Sequence, residues 1–169
     1  MRRGVVVIDT SVLCCWLKVP GKEVAGTGRD AWDFEKVEKF LVEGRAKGKT
    51  FVLPVATLIE TGNHIAQAAQ YRYERATSLM GHLRESLDGT SPWAAFTDQS
   101  SLWGTGQIES LVGEWPNLAT QRLTIGDATI KNVADYYSLA GFDVTILTAD
   151  AGLKAYEPRL PVVRPRRRS

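Results

Sequence analysis

The run VVVI at residues 5–8 is the feature that most constrains the fold of this chain. Four consecutive apolar, β-branched residues suit a short strand that is buried on both faces, as strands are in parallel sheets covered by helices. Further short apolar runs predict strands at 50–55 (TFVLPV), 143–147 and 160–163. Longer stretches with apolar residues at helical spacing lie between them. Strands that alternate with helices predict an α/β domain with a central, mainly parallel sheet.

The predicted helices fill most of the chain between these strands. One begins at residue 10 and ends before the glycine-rich loop PGKEVAGTGRD. Four longer helices are predicted at 31–49, 56–70, 71–87 and 125–140. The segment from Asp88 to about Trp115 carries glycines, serines and a proline, and it is interpreted as a loop with a single short helix around 108–112.

The composition is typical of one soluble globular domain. The chain has 169 residues, of which 44% are hydrophobic and 24% charged. No apolar run reaches the roughly 20 residues of a membrane helix, and the first apolar run is too short for a signal peptide, so we expect a cytoplasmic protein. Cys14 and Cys15 are neighbours in sequence and are interpreted as small core residues rather than as a disulfide or a zinc pair. We expect one domain over residues 1–163.

A short basic tail, residues 164–169, follows this domain. Its four arginines are Arg164, Arg166, Arg167 and Arg168. Without them the formal net charge of +2 would become −2, so the basic character of the chain is concentrated at this end. Such a tail can attract nucleic acid phosphates or an acidic partner, and it can equally be a solvated end that aids solubility.

Four acidic residues are predicted to meet at the carboxyl edge of the sheet. Asp9 directly follows the first strand, and Asp150 follows the strand that ends at Leu147. Asp127 opens the helix that leads to that strand, and Glu60 lies a turn into the helix after TFVLPV. In parallel α/β sheets, ligands bind at the edge where the strands end, because loops and helix N-termini converge there.

Gathering carboxylates in this way is costly. Two carboxylates about 4 Å apart repel by roughly 4 kcal/mol at an effective dielectric constant near 20. Either some of them stay protonated with raised pKa values, or a cation lies among them. Oxygen ligands without cysteine select Mg²⁺ or Mn²⁺ over zinc. Such an ion can activate a water molecule and neutralise charge on a phosphoryl group.

Each acid also has an ordinary structural interpretation. Thr124 and Asp127 form the T-x-x-D pattern of a loose capping box. Asp9 and Asp150 can each cap the helix that follows them. Glu60 alone is typical of a surface or helix-pairing residue. Four independent caps have no reason to share one edge of the sheet, so their joint placement favours a common site.

The stretches around these acids resemble the four acidic motifs of the PIN domain ribonucleases: IDTSVL, LPVATLIETGN, IGDATIKNVA and TILTADAGL. The resemblance implies a PIN-like three-layer α/β/α sandwich and one or two Mg²⁺ or Mn²⁺ ions that cut RNA. The metal-binding set that it implies is Asp9, Glu60, Asp127 and Asp150. Thr148 is similar to the hydroxyl residue that assists beside the last acid, and Ser11 and Asn63 are weaker supports.

The resemblance extends to the VapC-like toxins of toxin-antitoxin pairs, the largest bacterial group with this fold. It implies a homodimeric endoribonuclease that is inhibited by an antitoxin whose tail reaches into the acidic site. The segment from Tyr71 to Leu118 is longer than in compact toxins of this type, so we expect an elaborated clip, a dimer contact or a substrate-selecting surface. The alternatives are a PIN nuclease of RNA processing outside such a pair, and a non-cleaving scaffold that binds RNA or protein.

Histidine and tryptophan give weaker signals. His64 shares a helix face with Glu60 and so can approach a metal, although a lone histidine there is more often packed or solvent-facing. The five tryptophans are interpreted mainly as core or dimer packing, with base stacking as the alternative. A phosphoryl-accepting receiver domain is disfavoured, because VVVIDTS supplies one acid where that fold needs a pair.

Overall fold

The fold is taken from a computed structural model that describes residues 2–159. The strand predicted at 160–163 and the arginines of the basic tail lie outside the described residues. None of the described helices is long and apolar enough to cross a membrane.

A parallel sheet of three strands forms the centre of the described chain. The strands are β1 (Gly4–Ile8), β2 (Thr50–Val52) and β3 (Asp143–Leu147), in the order β2-β1-β3. Both neighbours run parallel to β1 and therefore end at the same edge of the sheet. The predicted α/β class with a central parallel sheet is confirmed.

Helices cover both faces of this sheet. The described α-helices are α1 (Thr10–Trp16), α2 (Phe34–Ala46), α3 (Val55–Gln67), α4 (Arg72–Leu87), α5 (Thr105–Thr120), α6 (Ile125–Leu139) and α7 (Ala151–Lys154). Alternate residues of β1 face opposite sides, as the pleat of a strand requires. Val6 and Ile8 belong to one buried cluster with residues of α1 and α2, whereas Val5 and Val7 belong to another with residues of α6. The run VVVI thus supplies both cores of a three-layer sandwich.

The second strand is shorter than predicted. The prediction covered residues 50–55 and placed the end of the strand too late. Strand β2 stops at Val52, and α3 begins at Val55. The Gln99 side chain explains the early end, because its amide nitrogen donates to Leu53 O (2.7 Å) and its amide oxygen accepts from Val55 N (3.2 Å). A buried side chain from a distant segment thus replaces strand pairing at this point.

The short helix predicted around 108–112 is present as part of a longer helix, whereas the loop predicted for the rest of the segment from Asp88 to Trp115 was wrong over most of its length. A 3₁₀ helix (Phe96–Trp103) and the 16-residue helix α5 occupy most of it. Glycines inside α5 and Pro116 disfavour a helix locally, Pro by about 3 kcal/mol. Partly buried apolar residues nevertheless recur at helical spacing along it: Ile108, Leu111, Trp115 and Leu118. Helix α5 contacts α6 and the 3₁₀ helix, and this packing outweighs the local preference.

Candidate functional site

An open cavity of about 380 Å³ lies where β1 and β3 end, and we call it the acidic cavity. All four predicted acids line it: Asp9, Glu60, Asp127 and Asp150. They come from four segments that are far apart in sequence but meet because parallel strands end at one edge.

Asp9 is fixed most firmly of the four. Its backbone N–H donates to Leu147 O (3.0 Å), which extends the pairing of β1 with β3 by one residue. Its Oδ2 accepts hydrogen bonds from Ser11 Oγ (2.6 Å) and Thr148 Oγ1 (2.7 Å), and a long one from the Ser11 backbone N–H (3.4 Å). The side chain is buried and also serves as the N-cap of α1. The predicted capping role of Asp9 is therefore confirmed.

Two hydroxyl groups join the ends of β1 and β3. Thr148 Oγ1 donates to Asp9 and accepts from Asp150 N (2.9 Å). Ser11 Oγ donates to Asp9 and accepts from Ala149 N (3.1 Å). Thr148 is buried behind the cavity, whereas Ser11 lines it. Both residues therefore position Asp9 relative to the loop that carries Asp150.

The other two aspartates cap helices, as predicted. Asp127 Oδ2 accepts from Thr124 N (3.2 Å), while Asp127 N donates to Thr124 Oγ1 (3.0 Å), which completes a capping box at the start of α6. Asp150 Oδ1 accepts from Gly152 N (2.6 Å) and Leu153 N (3.2 Å) at the start of α7. Caps fix both side chains at the rim of the cavity.

Glu60 reaches the cavity from α3. Its Oε2 accepts a hydrogen bond from Thr10 Oγ1 (3.0 Å), and its Oε1 lies so close to Gly126 that a Cβ at that position would collide with it. Gly126 was missed by the sequence analysis. A glycine in the first turn of an otherwise strong helix was the signal that could have identified it.

The four carboxylates share one hydrogen-bonding pattern. In each of them one oxygen accepts hydrogen bonds, and the other accepts none from the described residues. These second oxygens are Asp9 Oδ1, Asp127 Oδ1, Asp150 Oδ2 and Glu60 Oε1. Capping a helix and binding a cation are therefore compatible roles for the same side chain.

The donor set fits a hard divalent cation. Carboxylate oxygens are the ligands that Mg²⁺ and Mn²⁺ prefer. A protein commonly holds Mg²⁺ through one or two carboxylates, and the ion keeps several water molecules as its other ligands. Within residues 2–159 no group of three or more histidine, cysteine, aspartate or glutamate side chains is arranged to hold a metal ion directly. A cavity of about 380 Å³ has room for an ion together with its waters.

The pKa of Asp127 depends on its burial and on the charges near it. Burial raises the pKa of Asp127 above its ordinary range, and the negative charges of Asp9 and Asp150 raise it further, while hydrogen bonds with Thr124 act in the opposite direction. A divalent cation would relieve the repulsion between these like charges.

Other residues of the cavity differ from the sequence predictions. His64 lines the cavity, whereas Asn63, predicted as a support, is exposed and does not line it. Lys22 also lines the cavity and was missed, since its position in the loop after α1 carries no motif. Cys14 lines it as well, but burial raises the pKa of its thiol to about 11, so it stays protonated and unreactive at neutral pH.

Four carboxylates from separate segments thus line one cavity. Its volume is large enough for a hydrated cation and an anionic ligand. Comparisons with protein-family models, with curated proteins and with solved structures found no match to this chain.

Proposed function

We propose that this protein is a Mg²⁺- or Mn²⁺-dependent endoribonuclease of PIN-like fold. The observation that carries the proposal is that four carboxylates line one cavity, each with an oxygen that accepts no hydrogen bond from the described residues. Burial, and then the negative charges of Asp9 and Asp150, raise the pKa of Asp127, and a bound cation would relieve this repulsion. The four sequence motifs around the acids resemble those of PIN domain ribonucleases and support RNA as the substrate.

Asp9, Asp127 and Asp150 would hold the principal ion, and Glu60 would complete that site or hold a second ion. When bound, the ion supplies a water of lowered pKa as the nucleophile and neutralises charge on the phosphate. The chain itself keeps the ligands in place, through Ser11 and Thr148 on Asp9 and through the caps of α6 and α7. In-line attack on the phosphodiester would leave a 5′-phosphate and a 3′-hydroxyl.

The biological role that we propose is that of a toxin in a two-gene toxin-antitoxin module in the cytoplasm. The resemblance to VapC-like toxins supports a homodimer and a protein antitoxin that blocks the acidic site. The arginines of the basic tail would guide RNA or help to dock the antitoxin. A nuclease of RNA processing outside such a module would use the same cavity and the same chemistry.

Cleavage of a labelled single-stranded RNA with Mg²⁺ or Mn²⁺ tests the enzymatic proposal. Asp9→Asn and Asp150→Asn should each reduce cleavage on the order of 1,000-fold, because each removes a charged ligand while asparagine preserves the cap. Asp143→Asn is the matched control, since Asp143 is an exposed aspartate at the opposite end of β3. Its activity should equal that of the parent.

RNA binding without turnover by the parent protein would reject the nuclease and leave a scaffold that binds RNA. Equal activity of all three variants would reject the acidic cavity as the active site. Circular dichroism of each variant verifies that the fold is retained.

A further inference from the structure

A second cavity, of about 250 Å³, adjoins the acidic cavity, and we call it the apolar groove. Its lining residues include Ile59, Glu60, Trp103, Ile125 and Gly126. Glu60 lines both cavities, so the two lie side by side at this residue. Apart from Glu60 and Thr129, the residues that line the groove are apolar.

Three large side chains of the groove are exposed to solvent. Ile59 is 57% exposed, Trp103 47% and Ile125 51%. They come from α3, the 3₁₀ helix and the first turn of α6, so their proximity is a product of the fold rather than of one amphipathic helix. Exposed apolar surface that is contributed by several elements commonly marks a binding site.

The indole of Trp103 is about half exposed to solvent and has no aromatic neighbour among the described residues. Within the described residues, three other tryptophans contact aromatic rings: Trp16, Trp32 and Trp93. No such ring contact involves Trp103 in the same part of the chain. A half-exposed indole without an aromatic partner, beside a cavity that fits phosphate chemistry, resembles the stacking platforms of proteins that bind single-stranded nucleic acid.

We propose that the apolar groove binds one nucleobase of the RNA strand whose scissile phosphate lies in the acidic cavity. This inference rests on the proposed function. A nucleotide is the ligand whose chemistry matches both cavities, because it joins an anionic phosphate to a flat ring system whose π faces stack on apolar surface. The volume of the groove suits a single ring system better than the helix or strand of a protein partner.

The groove should read the base by stacking and not by its hydrogen-bonding edge. Its one hydroxyl group, Thr129 Oγ1, already donates to Gly126 O (2.7 Å). One oxygen of Glu60 accepts a hydrogen bond from Thr10, and the other is assigned to a cation in the acidic cavity under the proposed function. We therefore expect any of the four bases to bind, with purines bound more tightly than pyrimidines because they stack over a larger area.

Binding of a fluorescently labelled single-stranded RNA, measured by anisotropy with Ca²⁺ in place of Mg²⁺, tests the groove separately from cleavage. Trp103→Ala should weaken binding by roughly 5- to 150-fold, the loss expected for one base that no longer stacks. Trp103→Phe should restore most of the affinity. Tyr73→Ala is the control, because Tyr73 is an exposed aromatic that lines neither cavity.

A set of RNAs that each lack one base identifies the contact. In the parent protein, removing the base at one position next to the cleaved phosphate should weaken binding as much as Trp103→Ala does. In Trp103→Ala the same missing base should have no further effect, since the two changes remove one interaction. Additive losses, or parent-like binding by Trp103→Ala, would overturn the proposal.

The outcomes also separate this inference from the proposed function. A parent protein that binds RNA through Trp103 but never cleaves it supports the groove and rejects the nuclease. A parent protein that cleaves RNA independently of Trp103 supports the nuclease and rejects the groove. Sedimentation completes the test: if Trp103→Ala dissociates a dimer and leaves RNA binding unchanged, the groove is a contact between copies of the chain and the proposal fails.

Discussion

Glu60 lines both the acidic cavity and the apolar groove, yet the side chains of the two regions are held in different ways. In the cavity every carboxylate is fixed by hydrogen bonds from backbone or hydroxyl groups. In the groove, Ile59, Trp103 and Ile125 are about half exposed and present apolar surface. The cavity therefore holds its groups in fixed positions, whereas the groove offers contact area.

This difference matches what the two proposed ligands would require. A cation and a reacting phosphate need oxygen atoms at fixed positions, because electrostatic stabilisation depends on groups that do not have to reorganise. A stacked base needs only a flat apolar surface and tolerates small displacements. Changes in the cavity should therefore affect metal binding and chemistry, whereas changes in the groove should affect only RNA affinity.

The largest difference between the two regions should be their response to metal. At a Mn²⁺ concentration of 100 times the dissociation constant, the free energy of unfolding of the parent should rise by about 2.7 kcal/mol. Asp9→Asn should lose most of this gain, because it removes a charged ligand, whereas Trp103→Ala should keep all of it. Denaturant unfolding with Mn²⁺ and with EDTA measures both gains. Equal gains in the three proteins would contradict a metal site in the acidic cavity.

Thr148→Val should disturb the cavity and leave the groove intact. The substitution removes the hydroxyl that donates to Asp9 and accepts from Asp150 N, while the volume of the side chain is kept. We expect a loss of about 1–3 kcal/mol in the free energy of unfolding and a loss of cleavage on the order of 10- to 100-fold. Thr145→Val is the control, because Thr145 lies in β3, the strand that leads to Thr148, and its side chain makes no hydrogen bond within the described residues.

RNA affinity distinguishes these outcomes from general misfolding. Thr148→Val should bind uncleaved RNA in Ca²⁺ nearly as well as the parent does, because Trp103 is unaffected. Parent-like cleavage by Thr148→Val would show that the hydroxyl bridge between β1 and β3 is not needed to position Asp9.

The sequence predicted the parts of the molecule that depend on local rules. The run VVVI specified a doubly buried strand, and parallel strands place the residues that follow them, here Asp9 and Asp150, at one edge. The T-x-x-D pattern at Thr124 and Asp127 predicted a capping box that is present. These features are fixed by neighbours in sequence or by the geometry of the sheet.

The features that were missed depend on contacts between distant segments. The end of β2 is set by the Gln99 amide, which comes from more than 40 residues away in sequence. Helix α5 forms despite Pro116 because it packs on other elements. The approach of Glu60 to Gly126, and the apolar groove itself, likewise require α3 and α6 to be placed side by side. A pattern in one segment cannot report these distances.

Gly126→Ala tests the position of Glu60, which lines both the acidic cavity and the apolar groove. The new Cβ would displace the flexible end of Glu60 and weaken its bond with Thr10, while the backbone needs no change. Alanine in the first turn of α6 gains up to about 1 kcal/mol of helix propensity, and loss of the Thr10 bond offsets about the same amount. We therefore expect nearly unchanged stability and roughly a tenfold loss of cleavage.

Gly62→Ala is the matched control, because Gly62 also lies in a helix but a Cβ there would meet no atom within 4 Å. It should raise the free energy of unfolding by about 1 kcal/mol and leave cleavage unchanged. If Gly126→Ala cleaves RNA like Gly62→Ala, the position of Glu60 does not matter to the reaction.

The smallest expected effect is the pH dependence of the charge on Asp127. Its pKa is raised above the ordinary value of 3.8 by burial and then by Asp9 and Asp150, so the folded protein holds this proton more tightly than the unfolded chain does. As the pH rises through the window between those two pKa values, this group makes the folded state less stable, and the full penalty is present above the raised pKa.

Asp127→Asn removes that penalty while its amide oxygen can still accept from Thr124 N. Without divalent cations, the variant should therefore be slightly more stable than the parent at neutral pH, and its stability should decline less as the pH rises from 3.8. Asp143→Asn, at the far end of β3, should follow the parent. Denaturant unfolding in EDTA across this pH range measures the difference. Addition of Mn²⁺ should make the parent more stable than Asp127→Asn, because the charge that destabilises the metal-free protein is the one that would bind the ion. If Asp127→Asn stays the more stable protein in Mn²⁺, Asp127 is not a ligand.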